Sequence, residues 1–174
     1  MNSYWSRFAV VSSLILFAIL SRIIPHPPNF TPIAAMALFG GAYYTERKWA
    51  FIIPLTAMFI SDLFIGFHSL MPLVYICFAV MVFIGFRLRE NKKPLSLIVA
   101  GLTASILFFV FSNFGVWIIA KGTTYPYNIQ GLMACYVAAI PFFQNTLLGD
   151  MFYIGVLFGT FEAIKYRFPV LRSS

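Results

Sequence analysis

The feature that most constrains this chain is a succession of long apolar runs separated only by short polar turns. Residues 8–24, 49–67, 70–86, 95–120 and 142–164 carry at most two charged side chains each. As helices rising about 1.5 Å per residue, such runs approach or exceed the ~30 Å hydrocarbon core of a bilayer. Helices are expected because lipid offers no partner to an exposed backbone group, and the runs are much longer than barrel strands. Composition removes the soluble alternative: 61% of the 174 residues are hydrophobic and 10% charged, more apolar surface than a water-soluble fold of this size can hide. The chain reads as one transmembrane helical domain, residues 1–174, with no room for a soluble catalytic domain. Arg7 and the apolar run behind it look like a secretory signal. However, Ser-Arg-Ile-Ile-Pro-His-Pro-Pro follows, without a small-x-small cleavage site, so a retained first helix is expected.

The first helix is placed at residues 8–24, ended by the Pro-rich loop 25–31. Pro32 then opens a second segment, 32–44, at its first turn. That segment is short, about 20 Å, and rich in small residues, including Ala34, Ala35, Ala37, Gly40, Gly41 and Ala42. A short helix with small faces belongs inside a bundle, where neighbours can come close. The third and fourth segments, 49–67 and 70–86, are joined by a turn holding His68 and Ser69. A charged loop, 87–94, leads to the fifth, 95–120, long enough to tilt or to break, with Ser112-Asn113-Phe114-Gly115 the easiest place for a break. After a polar loop, residues 132–140 look too short to cross alone. They are expected to be interfacial or re-entrant, or else to extend the last helix, 142–164, through a kink at Pro141.

Six crossings with both termini cytoplasmic satisfy the positive-inside rule. Of the twelve lysines and arginines, all but Arg22 and Lys121 then lie on the inner side. The expected location is therefore the cell inner (plasma) membrane. The same distribution answers the net charge of +7, since the basic residues form no nucleic-acid module. Cys77 and Cys135 are solitary within apolar runs and read as buried small hydrophobes.

Ionisable groups inside membrane segments are costly and mark candidate sites. Asp62, in the outer part of the third helix, and Asp150, in the middle of the last, are the two carboxylates so placed. Arg22 stands at the outer end of the first helix, near His26, Asn29 and His68, and is expected to pair with Asp62 or to hold an anionic group. Asn113 and Trp117, four residues apart, share a helix face and suit a planar molecule that is stacked and hydrogen-bonded. Asn145, one turn beyond Pro141, adds a polar group to the same half. Asp150 is rotated about 140° from it, so the two need not serve one site. Each has a structural alternative: an ion pair, a helix cap, an interfacial aromatic or a loop histidine. No metal-ligand spacing, catalytic triad, phosphate-cradling loop or other cofactor motif is present. An ATPase within this chain is excluded.

The run from Arg22 through Pro25-His26-Pro27-Pro28-Asn29 to Gly41, then Ser61-Asp62 with Gly66 and His68, then Ser112-Asn113-Phe-Gly-Val-Trp117, and Asn145 with Gly149-Asp150, resembles an uncharacterised bacterial integral-membrane family labelled as transport proteins. The resemblance spans nearly the whole chain and implies no substrate. The architecture is also similar to the substrate-binding S components of energy-coupling factor transporters. In those, six helices hold a small molecule near the outer surface, while a transmembrane coupling subunit and two ATPases drive transport. Three functions follow as expectations: a substrate-binding subunit or small permease for a compact organic nutrient, a structural subunit of a membrane complex, or an intramembrane enzyme. The first places Arg22, Asn29, Asp62, Asn113, Trp117 and Asn145 around an outward-facing pocket and expects no enzymatic activity. The enzyme reading suffers because Asp62 and Asp150 are expected at different depths.

Overall fold

A computed structural model describes residues 3–171. They form six α-helices and a terminal 3-10 turn, with no strand among them: α1 (Ser3–Leu20), α2 (Ile33–Tyr43), α3 (Arg47–Ile65), α4 (Met71–Arg87), α5 (Pro94–Ala120), α6 (Ile129–Arg167) and Pro169–Leu171. Four of these, α1, α3, α5 and α6, are long and apolar enough to cross a membrane; α2 and α4 are apolar but shorter. Large apolar side chains cover the outside, among them Phe17 (73% exposed), Phe64 (73%) and Leu95 (72%). An apolar exterior of this extent suits lipid and not water, which supports an integral membrane protein.

α2 organises the bundle. Its 11 residues span only about 16 Å, and every residue from Ala34 to Tyr43 is buried. A helix that is apolar all round belongs in the interior, and α2 packs against each of the other five helices. Small residues make this possible at the crossing with α4. A Cβ on Gly41 would stand 2.5 Å from the Val82 carbonyl oxygen, and one on Gly85 2.6 Å from that of Leu38. Two glycines facing each other therefore bring the backbones closer than any side chain allows. The outgoing end of α2 is closed by Arg89, whose guanidinium donates to the carbonyls of Gly41 (2.8 Å) and Tyr44 (2.6 Å). Those carbonyls would otherwise end the helix unpartnered. Arg7, Lys92 and Lys165 gather around the same end, making it the basic end of the bundle.

Of the alternatives for residues 132–140, the structure has extension of the last helix: they belong to α6, which runs through Pro141 and is 39 residues long. An internal proline removes one backbone hydrogen bond, here the one the carbonyl four residues earlier would accept, and membrane helices tolerate such prolines. α5 packs alongside this stretch: Tyr136 donates its hydroxyl to the Val110 carbonyl at 2.7 Å and Cys135 Sγ lies 3.4 Å from that of Asn113. α5 does not break at residues 112–115 but runs unbroken from Pro94 to Ala120, and within it the Asn113 amide donates to the Phe109 carbonyl at 2.8 Å. The first helix ends at Leu20 and not at residue 24, which leaves Arg22 in the following turn. At the other terminus the helix extends to Arg167, and Arg172 lies outside the described residues.

Candidate functional site

At the end of the bundle remote from the basic cluster, the chain between α1 and α2 folds back over the helices. Asn29 adopts a left-handed backbone (φ 64°), which asparagine tolerates better than most residues, and the turn closes with the Phe30 amide donating to the Pro27 carbonyl at 3.0 Å. Gly149 of α6 lets this loop come down: a Cβ there would sit 3.1 Å from Phe30 Cα and 3.2 Å from the Thr31 nitrogen. The next residue, Asp150, faces a cavity of about 340 Å³ enclosed by the loop, α2, α4, α5 and α6. That volume falls within the range of small-molecule sites.

The walls of the cavity are apolar and aromatic. Phe108 and Phe109 come from α5, Phe142 and Phe143 from α6, and Val74 and Met81 from α4; the Phe109 and Phe143 rings lie 4.7 Å apart. Polar groups are few and placed at intervals: Arg22, Asn29, Thr31 and His68 from the turns, Ser112 and Asn113 from α5, Thr146 and Asp150 from α6. The α6 members 139, 142, 143, 146 and 150 follow the i, i+3, i+4, i+7 spacing of a single helix face.

Asp150 is 3% exposed, and its Oδ2 accepts a 2.6 Å hydrogen bond from Ser105 of α5. Ser105 is itself fully buried. Asp62 lies elsewhere. It is 4% exposed near the C-terminal end of α3 and is held from both sides. Arg22 Nη2 donates to its Oδ1 at 2.8 Å and the Tyr75 hydroxyl to its Oδ2 at 2.8 Å. Arg22 Nη1 also donates to Ser61 Oγ at 2.5 Å, and Ser61 donates onward to the Met58 carbonyl at 2.8 Å. The network is a closed ion pair linking the turn after α1 to α3 and α4, and Arg22 carries it to the rim of the cavity.

Of the residues singled out from sequence, Arg22, Asn29, His68, Asn113 and Asp150 line the cavity. Asp62, His26, Trp117 and Asn145 are not part of its lining. Asp62 stands behind Arg22. His26 keeps to the outer loop, with Nδ1 2.9 Å from the Pro27 carbonyl oxygen. Trp117 stacks on Tyr127 at 4.5 Å and donates Nε1–H to the Pro126 carbonyl at 3.0 Å, pinning the α5–α6 loop. Asn145 is turned away because its neighbour Thr146 occupies the cavity face, and consecutive helical residues are about 100° apart. Sequence reasoning missed Ser105, Thr146 and Tyr75. Ser105 and Tyr75 sit alone in apolar helices, and a hydroxyl surrounded by leucine and phenylalanine is the signal that could have found them. Among the described residues, no group of three or more His, Cys, Asp or Glu comes together as a metal site would require.

No curated protein and no solved structure matches the chain. The profile of a family of unknown function, DUF6580, matches residues 2–171, and since that match runs over almost the whole length, the chain belongs to this family.

Proposed function

We propose that this protein is a solute-binding membrane subunit or small permease that takes a compact organic molecule into the cavity between α2, α4, α5 and α6. The observation that carries the reading is the cavity: about 340 Å³ of space with aromatic walls, reached by a buried carboxylate. A bundle needed only as a scaffold gains nothing from such a void, because unfilled volume costs packing energy. The chain crosses the membrane six times in this reading, with α2 and α4 completing their crossings through the turns beside them. The basic end, around Arg7, Arg89, Lys92 and Lys165, faces the cytoplasm by the positive-inside rule, so both termini are cytoplasmic and the cavity opens to the outer side of the plasma membrane. The likeness to S components of energy-coupling factor transporters, drawn from the sequence, extends the proposal to a transmembrane coupling subunit and ATPases as partners. Energy must come from such partners or from an ion gradient.

The test is mass spectrometry of the full chain, tagged and purified from its own host in mild detergent. The expected result is a retained small molecule that disappears in Ala139→Phe, where a ring is placed in the cavity. Absence of any retained molecule, together with a higher unfolding temperature for Ala139→Phe, would show a filled defect and not a vacated site, and would sink the proposal.

A further inference from the structure

We infer that the solute carries a positively charged, hydrogen-bond-donating nitrogen, an amine or a protonated heterocycle, and that Asp150 receives it; this rests on the cavity being the solute site. Asp150 is buried in the cavity wall with Oδ2 taken by Ser105, and no cation among the described residues pairs with it. Its other oxygen is therefore available on the cavity side. The arginine at the rim does not compensate it, because Arg22 is already engaged by Asp62 and Ser61.

The other polar groups point the same way. One N–H of the Asn113 amide donates to the Phe109 carbonyl, and the side-chain oxygen remains as an acceptor beside the second N–H. The Thr146 hydroxyl donates to the Phe142 carbonyl at 3.1 Å, which again leaves lone pairs. The Thr146 hydroxyl and one N–H of Asn113 are thus spent on their own helices, and the group of the inner wall with an open oxygen and no cation beside it is Asp150. A solute that matches must donate and be positive. The phenylalanine faces nearby add to this preference, since ring quadrupoles attract cations. An uncharged or anionic analogue would bury the carboxylate without a partner, which low-dielectric surroundings penalise heavily.

The test uses the purified full chain and a panel of 2-phenylethylamine, cyclohexylamine and histamine, each set against its N-acetyl derivative, with 3-phenylpropionate as an anion of similar shape. Binding is read as the rise in unfolding temperature, followed by intrinsic tryptophan fluorescence. Amines are expected to stabilise the protein, with N-acetyl derivatives and the carboxylate at least about tenfold weaker, as loss of a charged hydrogen bond implies. Asp150→Asn is expected to abolish that selectivity. The discrimination shown by the unaltered protein decides the matter even where Asp150→Asn does not fold. Equal or better binding of the neutral or anionic members, abolished by Ala139→Phe, would overturn the ammonium inference and leave the cavity as a solute site. A failure of every panel member to bind would overturn the inference, and the molecule retained from the native host would then decide separately whether the cavity is a solute site.

Discussion

Asp62 and Asp150 are both buried carboxylates in apolar helices, 4% and 3% exposed, yet their surroundings differ in kind. Asp62 has both oxygens occupied, one by an arginine and one by a tyrosine hydroxyl, and its charge is cancelled where it stands. Asp150 has one serine and a cavity. Burial alone therefore does not separate these two carboxylates; the state of their hydrogen-bonding valences does. The first region is complete within the protein, whereas the second keeps an oxygen open beside a cavity.

This contrast is open to direct attack. The largest effect is expected from Asp62→Asn, which leaves Arg22 charged at a position where its side chain is 10% exposed. Losing one partner of a buried pair costs about 3–5 kcal/mol, seen as a lower unfolding midpoint in detergent. Asp150→Asn should leave that midpoint unchanged or raise it. Equal losses at the two positions would break the distinction.

A smaller effect separates the neutral partners. Tyr75→Phe removes a hydrogen bond to an ion-paired carboxylate in a closed network and should cost about 1.5–3 kcal/mol. Ser105→Ala should cost less, about 0.5–1.5 kcal/mol, because the adjoining cavity is roomy enough to admit water to the freed oxygen. The same unfolding measurement ranks the two, and the reverse order would mean that Asp150 depends on the protein alone.

The smallest effect belongs to an exposed pair of the same length. Lys48 and Glu46 meet at 2.8 Å, as Arg22 and Asp62 do, but on the surface, where the turn after α2 enters the first turn of α3. The Lys48 ammonium and the Tyr4 hydroxyl hold the Glu46 carboxyl below its ordinary range. A lowered carboxyl contributes stability above its unfolded value, near pH 4.3, that is lost as pH falls through the folded value. Water and salt screen a fully exposed pair. Glu46→Gln is therefore expected to unfold like the unaltered protein at pH 7 and at pH 3, and a clear difference at pH 7 would show that contact distance matters more than burial.

Much of the bundle was legible in the residues. Small side chains and short length placed α2 in the interior, and buried cysteines without partners in the sequence are free and buried in the structure. The expected pairing of Arg22 with Asp62 is present. Other readings stayed open or failed for local reasons. Pro141 reads either as a boundary or as a kink within the last helix, and the structure has a continuous helix through it with α5 alongside. Asn145 and Thr146 are adjacent, and without knowing which side of α6 meets α5 there was no means to prefer the quieter threonine. Trp117 and Asn113 do share a face, yet the indole turns to the loop and the amide to the cavity.

The sequence by itself determined that this is an all-helical chain suited to a membrane, how many helices it has, and which polar residues lie inside them. These follow from apolar run length and from the cost of unpaired backbone in lipid, both properties of contiguous segments. Only the tertiary structure decided which carboxylate is satisfied and which is not. Asp62 meets an arginine 40 residues away and Asp150 a serine 45 residues away, and no helical period reaches across such distances. The packing of α2 against its five neighbours brings these groups together, and the same packing leaves the space beside Asp150 open.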